Sequence, residues 1–314
     1  MNRLSLRTFW HGLFAVSGLC CLIALSRGAS AAEPLLWKFA AGDAHHYQMV
    51  QEMKMTMNVG PGEAATSAIK QTIDMVWEIE SVEENGNAVL TQTIERVQMG
   101  IAAPGQAEVQ YDSSSEEPPQ GYAAMLAPMF QAMISAPFKV TMSPRGEIVD
   151  VEVPQSLIEA MSQIPGGAML GSLATEEGFR NMIRQSSILL PKPEELVEGH
   201  QWTSSIEMDN PIAGKIITET TYQYQGPREV EGQPMEVFVP SIETKFTGGE
   251  GANSIAVEKQ DATGEILFNR QAGRLESSKI VQQMQMVITV GDNKINQNLD
   301  QTISFRIVPD AGGQ

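Results

Sequence analysis

Cysteine is nearly absent from this chain of 314 residues, and the two it has, Cys20 and Cys21, lie in an apolar stretch near the start. The remainder therefore cannot form a disulfide, use a thiol nucleophile or hold zinc through thiolates. Histidine is scarce as well: four in all, of which His45, His46 and His200 lie beyond the first 32 residues, too few to expect a serine triad. Basic residues are outnumbered, 21 against 38 acidic, for a net charge of −17. Such a surface repels phosphate backbones and anionic headgroups, so nucleic acid is not an expected partner. Long hydrophobic runs are missing too. The apolar run from Leu13 to Leu25 is interrupted by Ser17 and Gly18 and falls short of the roughly 20 residues of a stable membrane span.

What stands at the start instead is the pattern of an export signal. Arg3 and Arg7 precede the apolar run, and the small residues Ala29, Ser30, Ala31 and Ala32 precede Glu33. Residues 1–32 are expected to be removed, with cleavage near Ala32 and a periplasmic or extracellular destination. Leu19 before Cys20 is not the small residue that lipidation requires. Loss of Arg3, Arg7 and Arg27 lowers the 21 basic residues to 18 against 38 acidic ones, a net charge of −20. Solubility in an exposed compartment accounts for that acidity.

Alternation dominates the rest. From "AGDAHHYQMVQEMKMTM" at 41–57 onward, Tyr47, Met49, Met53, Met55, Met57 and Val59 face one way and His46, Gln48, Glu52, Lys54, Thr56 and Asn58 the other, the period of a half-buried strand. Ile69, Ile73, Met75, Trp77 and Ile79 repeat it, and "EENGN" at 83–87 carries the Asn-Gly chemistry of a tight hairpin. Ile216, Thr218, Thr220, Tyr222 and Tyr224 alternate, as do Ile280, Met284, Met286, Ile288 and Val290. "GDNK" then turns the chain into Ile295, Leu299, Ile303, Phe305 and Ile307. Strands this long with one wet face suit large curved antiparallel sheets.

Helices are confined to the middle. Tyr122, Met125, Leu126, Met129, Phe130, Met133 and Ile134 form one apolar stripe, Leu157, Ile158 and Met161 open a short second helix, and Thr175 caps a third ending before Pro191. "DSSSEEPPQG" at 112–121 is a loop, and "GGEGAN" at 248–253 a flexible connection. An internal repeat links the halves: "GDAHHYQM" parallels "EGHQWTS" at 198–204, and Val140–Met142 followed by Gly146–Ile148 parallels Ile266–Phe268 followed by Gly273–Leu275. The expected fold is mainly β, with two related units at residues 33–190 and 191–314 and the helices packed on the concave side.

The "WKFAAGDAHHYQM" opening, the Asn-Gly hairpin, "SPRGEIVDVE" and "GEILFNRQAGRLESS" resemble a family of uncharacterised exported bacterial β-rich proteins, a domain of unknown function. The resemblance spans nearly the whole chain beyond the leader and implies no activity and no catalytic residue.

The chemistry that remains is thin. His45 and His46 are adjacent on a strand, so they point to opposite faces and cannot grip one ion; no metal or other cofactor is expected. There is no Gly-x-Ser-x-Gly elbow, no His-Glu-x-x-His and no phosphate loop. Carboxylate pairs such as Glu83-Glu84 and Glu194-Glu195 sit in polar loops, which leaves a carboxylate-dependent hydrolase as the trailing alternative. The leading expectation is a non-enzymatic envelope protein that binds an apolar, lipid-like ligand or a protein partner. Methionine is an unbranched, adaptable filler, and the expected lining is Met53, Met55, Met57, Met284 and Met286 on strands with Met125, Met129 and Met133 on the first helix. A structural or interaction protein with a filled core is the rival.

Overall fold

A computed structural model describes residues 34–59, 64–105, 107–134, 136–163, 175–210, 214–247 and 253–309. The expected leader and most of the "GGEGAN" connection lie outside them. Twelve strands form one antiparallel sheet: β1 (Ala44–Val59), β2 (Ala65–Val82), β3 (Ala88–Ala102), β4 (Val109–Asp112), β5 (Phe138–Met142), β6 (Ile148–Glu152), β7 (Gln201–Asn210), β8 (Gly214–Val230), β9 (Gln233–Thr247), β10 (Asn253–Asn269), β11 (Arg274–Val290) and β12 (Asn293–Val308). Their order is β6-β5-β3-β2-β1-β12-β11-β10-β9-β8-β7, with β4 beside β3. The first and last strands therefore pair at the middle of the sheet, Met55 opposite Leu299. From β1 the chain meanders out to the β6 edge, crosses to the β7 edge, and meanders back. One sheet runs through both halves, and residue 190 falls in the crossing.

Helix α1 (Tyr122–Ile134) joins β4 to β5, and α2 (Gln155–Gln163) and α3 (Glu176–Ser186) lie in that crossing. The Thr175 hydroxyl accepts from Gly178 N–H at 3.2 Å and caps α3, satisfying a donor that the first turn leaves orphaned. Arg180 of α3 pairs with Asp150 of β6 at 3.0 Å, and the Asn181 amide donates to the Glu207 carbonyl of β7 at 3.4 Å. One helix thus touches both end strands of the curled sheet. Helix α1 lies against β3 and β4, burying Ala123, Ala127 and Phe130, with Phe130 stacked 5.0 Å from Tyr111.

The core gathers the inward faces of strands from both halves at one end of the sheet. Tyr47 stacks on Phe305 at 4.7 Å and leans on Trp77 at 5.0 Å, and Trp202 meets Tyr222 at 5.5 Å and Phe238 at 5.7 Å. Residues 35–39 cross this end as a strap. Trp37 N–H donates to the Pro144 carbonyl at 2.8 Å, and Lys38 N–H to the Gly273 carbonyl at 2.9 Å, so the strap is held by the β5–β6 hairpin on one side and the β10–β11 hairpin on the other. The Trp37 ring lies between Trp77 and Phe268 and donates to the Ile188 carbonyl at 3.4 Å.

Some irregularities recur in both halves. Gly42 and Gly199, both at positive φ, open β1 and β7. Gly42 N–H donates to Ile79 and Gly199 N–H to Tyr224, each at 2.8 Å, while Ile79 and Tyr224 donate back to Asp43 and His200. A register shift follows Ile79 in the β2–β3 pair and Tyr224 in the β8–β9 pair. Another separates Thr141 from Met142, and its counterpart separates Leu267 from Phe268.

The outward face is charged. Arg228 grips Glu265 through two 2.7 Å bonds, and Lys70 reaches Glu52 at 2.8 Å. Arg96, assisted by Ser114 and Gln98, holds the Asp112 carboxyl well below the usual carboxylate range. A depressed folded-state pKa contributes stability above the unfolded value of about 3.9, and that contribution fades as pH falls below it. Asp112→Asn is therefore expected to cost about 1 kcal/mol at pH 7 in urea unfolding. The difference from wild type should shrink steadily below about pH 4; a constant difference down to pH 2 would show that the charge plays no part.

Candidate functional site

Beyond the aromatic core the inward face continues along the strands toward their other ends. Directly opposed residues point the same way, so the register places Met55, Leu299 and Met284 in one row across β1, β12 and β11, with Met57, Gln297 and Met286 in a second. Met53 lies one step nearer the core, opposite Gln301 and Ile69. On β10, Val257 and Ile255 extend the surface, and on β9 and β8 Phe246 and Ile216 do so. Most of these side chains are half-buried, and Met284 and Met286 are buried; their outward neighbours, Glu52, Lys54, Gln283, Gln285 and Asp300, are exposed. The result is an apolar trough of long, unbranched and branched side chains, closed by the core at one end.

The five strand methionines named from the sequence thus share this face. The three helix methionines lie apart, because α1 packs on β3, β4 and α2. Met129 and Met133 border the core, while Met125 is 52% exposed. The small side chains of Ala123 and Ala127 let the helix approach the sheet through them, which turns Met125 outward.

A band of glutamines crosses the trough, and the sequence patterning passed over it. Gln51 faces Gln71 across β1 and β2, and Gln301 faces Gln282 across β12 and β11. Each is half-buried on the inward face. Gln297 donates to the Met55 sulfur at 3.0 Å. The signal was present: in the four alternations that skip a position, along β1, β2, β11 and β12, the skipped residue, 51, 71, 282, 297 or 301, is glutamine. Five glutamines on an inward face supply uncharged donors and acceptors between the aromatic core and the methionine rows.

The histidines stand apart from this surface or at its rim. His45 is opposite Trp77 on the inward side, where burial first and then Arg274 hold its pKa below the usual value. His46 points the other way, its Nδ1 3.4 Å from Glu95. His200 stacks on Trp202, with Nε2 3.7 Å from Glu195. Among the described residues no three metal-ligating side chains converge. Glu236, buried at the core end, accepts a hydrogen bond from Tyr224 and forms an ion pair with Arg270 at 2.8 Å, a carboxylate compensated by a phenol and a cation at the β10–β11 turn. Burial pushes the Tyr222 phenol up to about 12. These groups bolster the closed end.

Among the described residues the sheet carries grooves. One of about 770 Å³ lies mainly on the polar outward face, between Glu52, Lys54, Lys70, Gln98, Gln283 and Asp300. Another, about 390 Å³, separates β9 from β10 and is lined by Glu243–Phe246 and Ile255–Gln260.

Residues 85–241, from the Asn85-Gly86 turn into β9, match the model of DUF6263, a family of unknown function. The chain belongs to that family. The match crosses both halves of the sheet, so the family pattern includes the helical crossing. No curated protein sequence matches the chain. Among solved structures, lipovitellin, described for its lipid–protein interactions, is similar with a TM-score of 0.47 and 12% identity, over 88% of this chain and 27% of that one. The chain therefore spans about a quarter of the lipovitellin chain. An outer membrane channel from Pseudomonas putida F1 gives a TM-score of 0.24 at 6% identity, over 87% of this chain and 97% of that one. OpdQ from Pseudomonas aeruginosa gives 0.23 at 5%, over 85% of this chain and 100% of that one. Likenesses at these scores carry no argument about what this DUF6263 member does. Among the described residues no helix is long and apolar enough to cross a membrane.

Proposed function

We propose that this protein is an exported, non-enzymatic binder of an apolar, lipid-like ligand, held along the methionine rows of the trough. The observation that carries the reading is the continuation of an apolar inward face past the packed core, half-buried where the opposite face of the same strands is exposed. An ordinary filled core would end where its aromatic cluster ends. Unbranched thioethers repack around irregular chains at small cost, and burial of apolar surface supplies roughly 25 cal/mol per Å². The glutamine band offers neutral hydrogen bonds to an ester or hydroxyl without the desolvation cost of a charge.

Two further readings belong with it. The matching bulges and strand openings support descent of the two halves from one duplicated unit. The basic, apolar and small-residue order of residues 1–32 supports export, and cleavage near Ala32 or Glu33 leaves the strap at Leu35–Phe39 intact. Native mass spectrometry of protein isolated from its own envelope fraction tests the proposal. The expected result is a chain beginning near Ala32 or Glu33 with a co-purifying apolar molecule, and after its extraction, saturable binding of the fluorescent fatty acid cis-parinaric acid. A preparation with no bound molecule and no such binding would transfer the assignment to a structural or protein-interaction role.

A further inference from the structure

The wall of the trough is interrupted at one place. β9 and β10 pair from Glu236↔Phe268 to Ser241↔Thr263, and past Ser241 their ladder has no further partners among the described residues. Both strands nevertheless continue, β9 paired with β8 as far as Thr247 and β10 paired with β11 as far as Asn253. The Gln260 side chain stands where ladder bonds would be: its oxygen accepts from Thr244 N–H at 2.9 Å and its amide donates to the Thr244 carbonyl at 3.1 Å. A side-chain amide that satisfies both backbone groups of the opposite residue lies in the plane of the sheet and holds the strands apart. The groove of about 390 Å³ occupies that gap.

The gap has two chemically distinct sides. Toward the trough lie Phe246, Ile255 and Val257, half-buried, and Val257 and Gln260 sit directly opposite Met286 and Met284. Toward solvent lie Glu243, Lys245, Glu258 and Lys259, all exposed, with Lys245 paired to Glu243 at 3.1 Å. An apolar interior behind a lip of both charges fits an amphiphile whose chain is inside and whose polar head stays in water.

We propose that the slit between β9 and β10 is a lateral port through which the acyl chain of a charged amphiphile reaches the methionine rows, with Gln260 as its latch. The proposal rests on the apolar-ligand reading above. In the β1–β2, β1–β12, β11–β12 and β10–β11 pairs the ladder runs along the strands and makes the sheet a wall, and passage there would break many backbone bonds together. At the slit, rotation of one side chain releases two bonds and widens the gap, while the charged lip retains the head.

The test uses the absence of cysteine beyond the leader. In Thr244→Cys/Gln260→Cys the two thiols face each other across the slit, and one protein can be studied open and after joining by a short bifunctional thiol cross-linker. Stopped-flow mixing with cis-parinaric acid reads entry. The cross-linked form is expected to load at least about tenfold more slowly than the open form at similar equilibrium affinity, as for other gated sites, and Gln260→Ala is expected to load faster than wild type. Equal loading by open and cross-linked forms that both bind the probe would overturn the port and leave the trough standing. Absence of binding by wild type would remove the trough reading itself, and the port with it.

Discussion

Replacing Gly146 or Gly273 by alanine is expected to lower stability by about 2–5 kcal/mol, far more than the same change at Gly291. All three glycines have positive φ, +85°, +64° and +61°, so each substitution carries the strain of left-handed backbone, about 1–2 kcal/mol. Only the first two also meet the strap. A Cβ on Gly146 would lie 2.0 Å from the Ile188 carbonyl oxygen and 2.6 Å from the Trp37 indole nitrogen, and one on Gly273 would lie 2.3 Å from Lys38 Cγ and 2.6 Å from its backbone nitrogen. Nothing lies within 4 Å of a Cβ on Gly291. Displacing the strap would loosen Trp37 from Trp77 and Phe268, and overpacking of this kind costs a further 1–3 kcal/mol or so. Urea unfolding of the three variants decides the matter. Equal shifts at Gly146, Gly273 and Gly291 would mean that the strap contributes nothing.

Glutamate in the methionine rows is expected to abolish binding of an apolar probe. Met55→Glu/Met284→Glu places two carboxylates where Leu299 lies between them, Met284 being only 4% exposed. Moving a charge into such a site is costly unless it is paired, and the expected loss of affinity for cis-parinaric acid is on the order of a hundredfold or more, about 3 kcal/mol. Lys54→Ala and Thr56→Ala, on the same strand but the opposite face, should bind as wild type does, and Met55→Leu should bind nearly as well. Because burial raises a carboxyl pKa, the double variant should recover binding as pH falls toward 5. Recovery in acid would separate a charge effect from simple unfolding, which the near-ultraviolet circular dichroism monitors in parallel. Undiminished binding at pH 7 by a folded double variant would exclude the methionine rows as the site.

Much of this architecture is legible in short windows. The period of two along Tyr47–Val59 reflects the pleat, which sends successive side chains to opposite faces whatever the strand pairs with. Asn85-Gly86 makes its turn, Gly86 at φ +86°, and Thr175 caps α3, because those geometries depend only on nearby backbone groups. Periodicity alone did not orient α1. Its apolar residues are spread widely enough to fit two rotations, and the one adopted buries Ala123 and Ala127 and turns Met125 outward.

The inward face, its methionines and its glutamine band are therefore written in the order of residues, as are the hairpins and helix ends, all of them consequences of contacts between near neighbours. Tertiary structure alone decided that β1 would pair with β12, which sets Met55 two strands from Met284 although 229 positions separate them. It also decided that the strap would cross between Gly146 and Gly273, that α3 would bridge the two edges, and that the β9–β10 ladder would stop at Ser241. The reason is physical. An alternating strand can accept many antiparallel partners, and the choice among them is made only when a single curled sheet buries all its inward faces together.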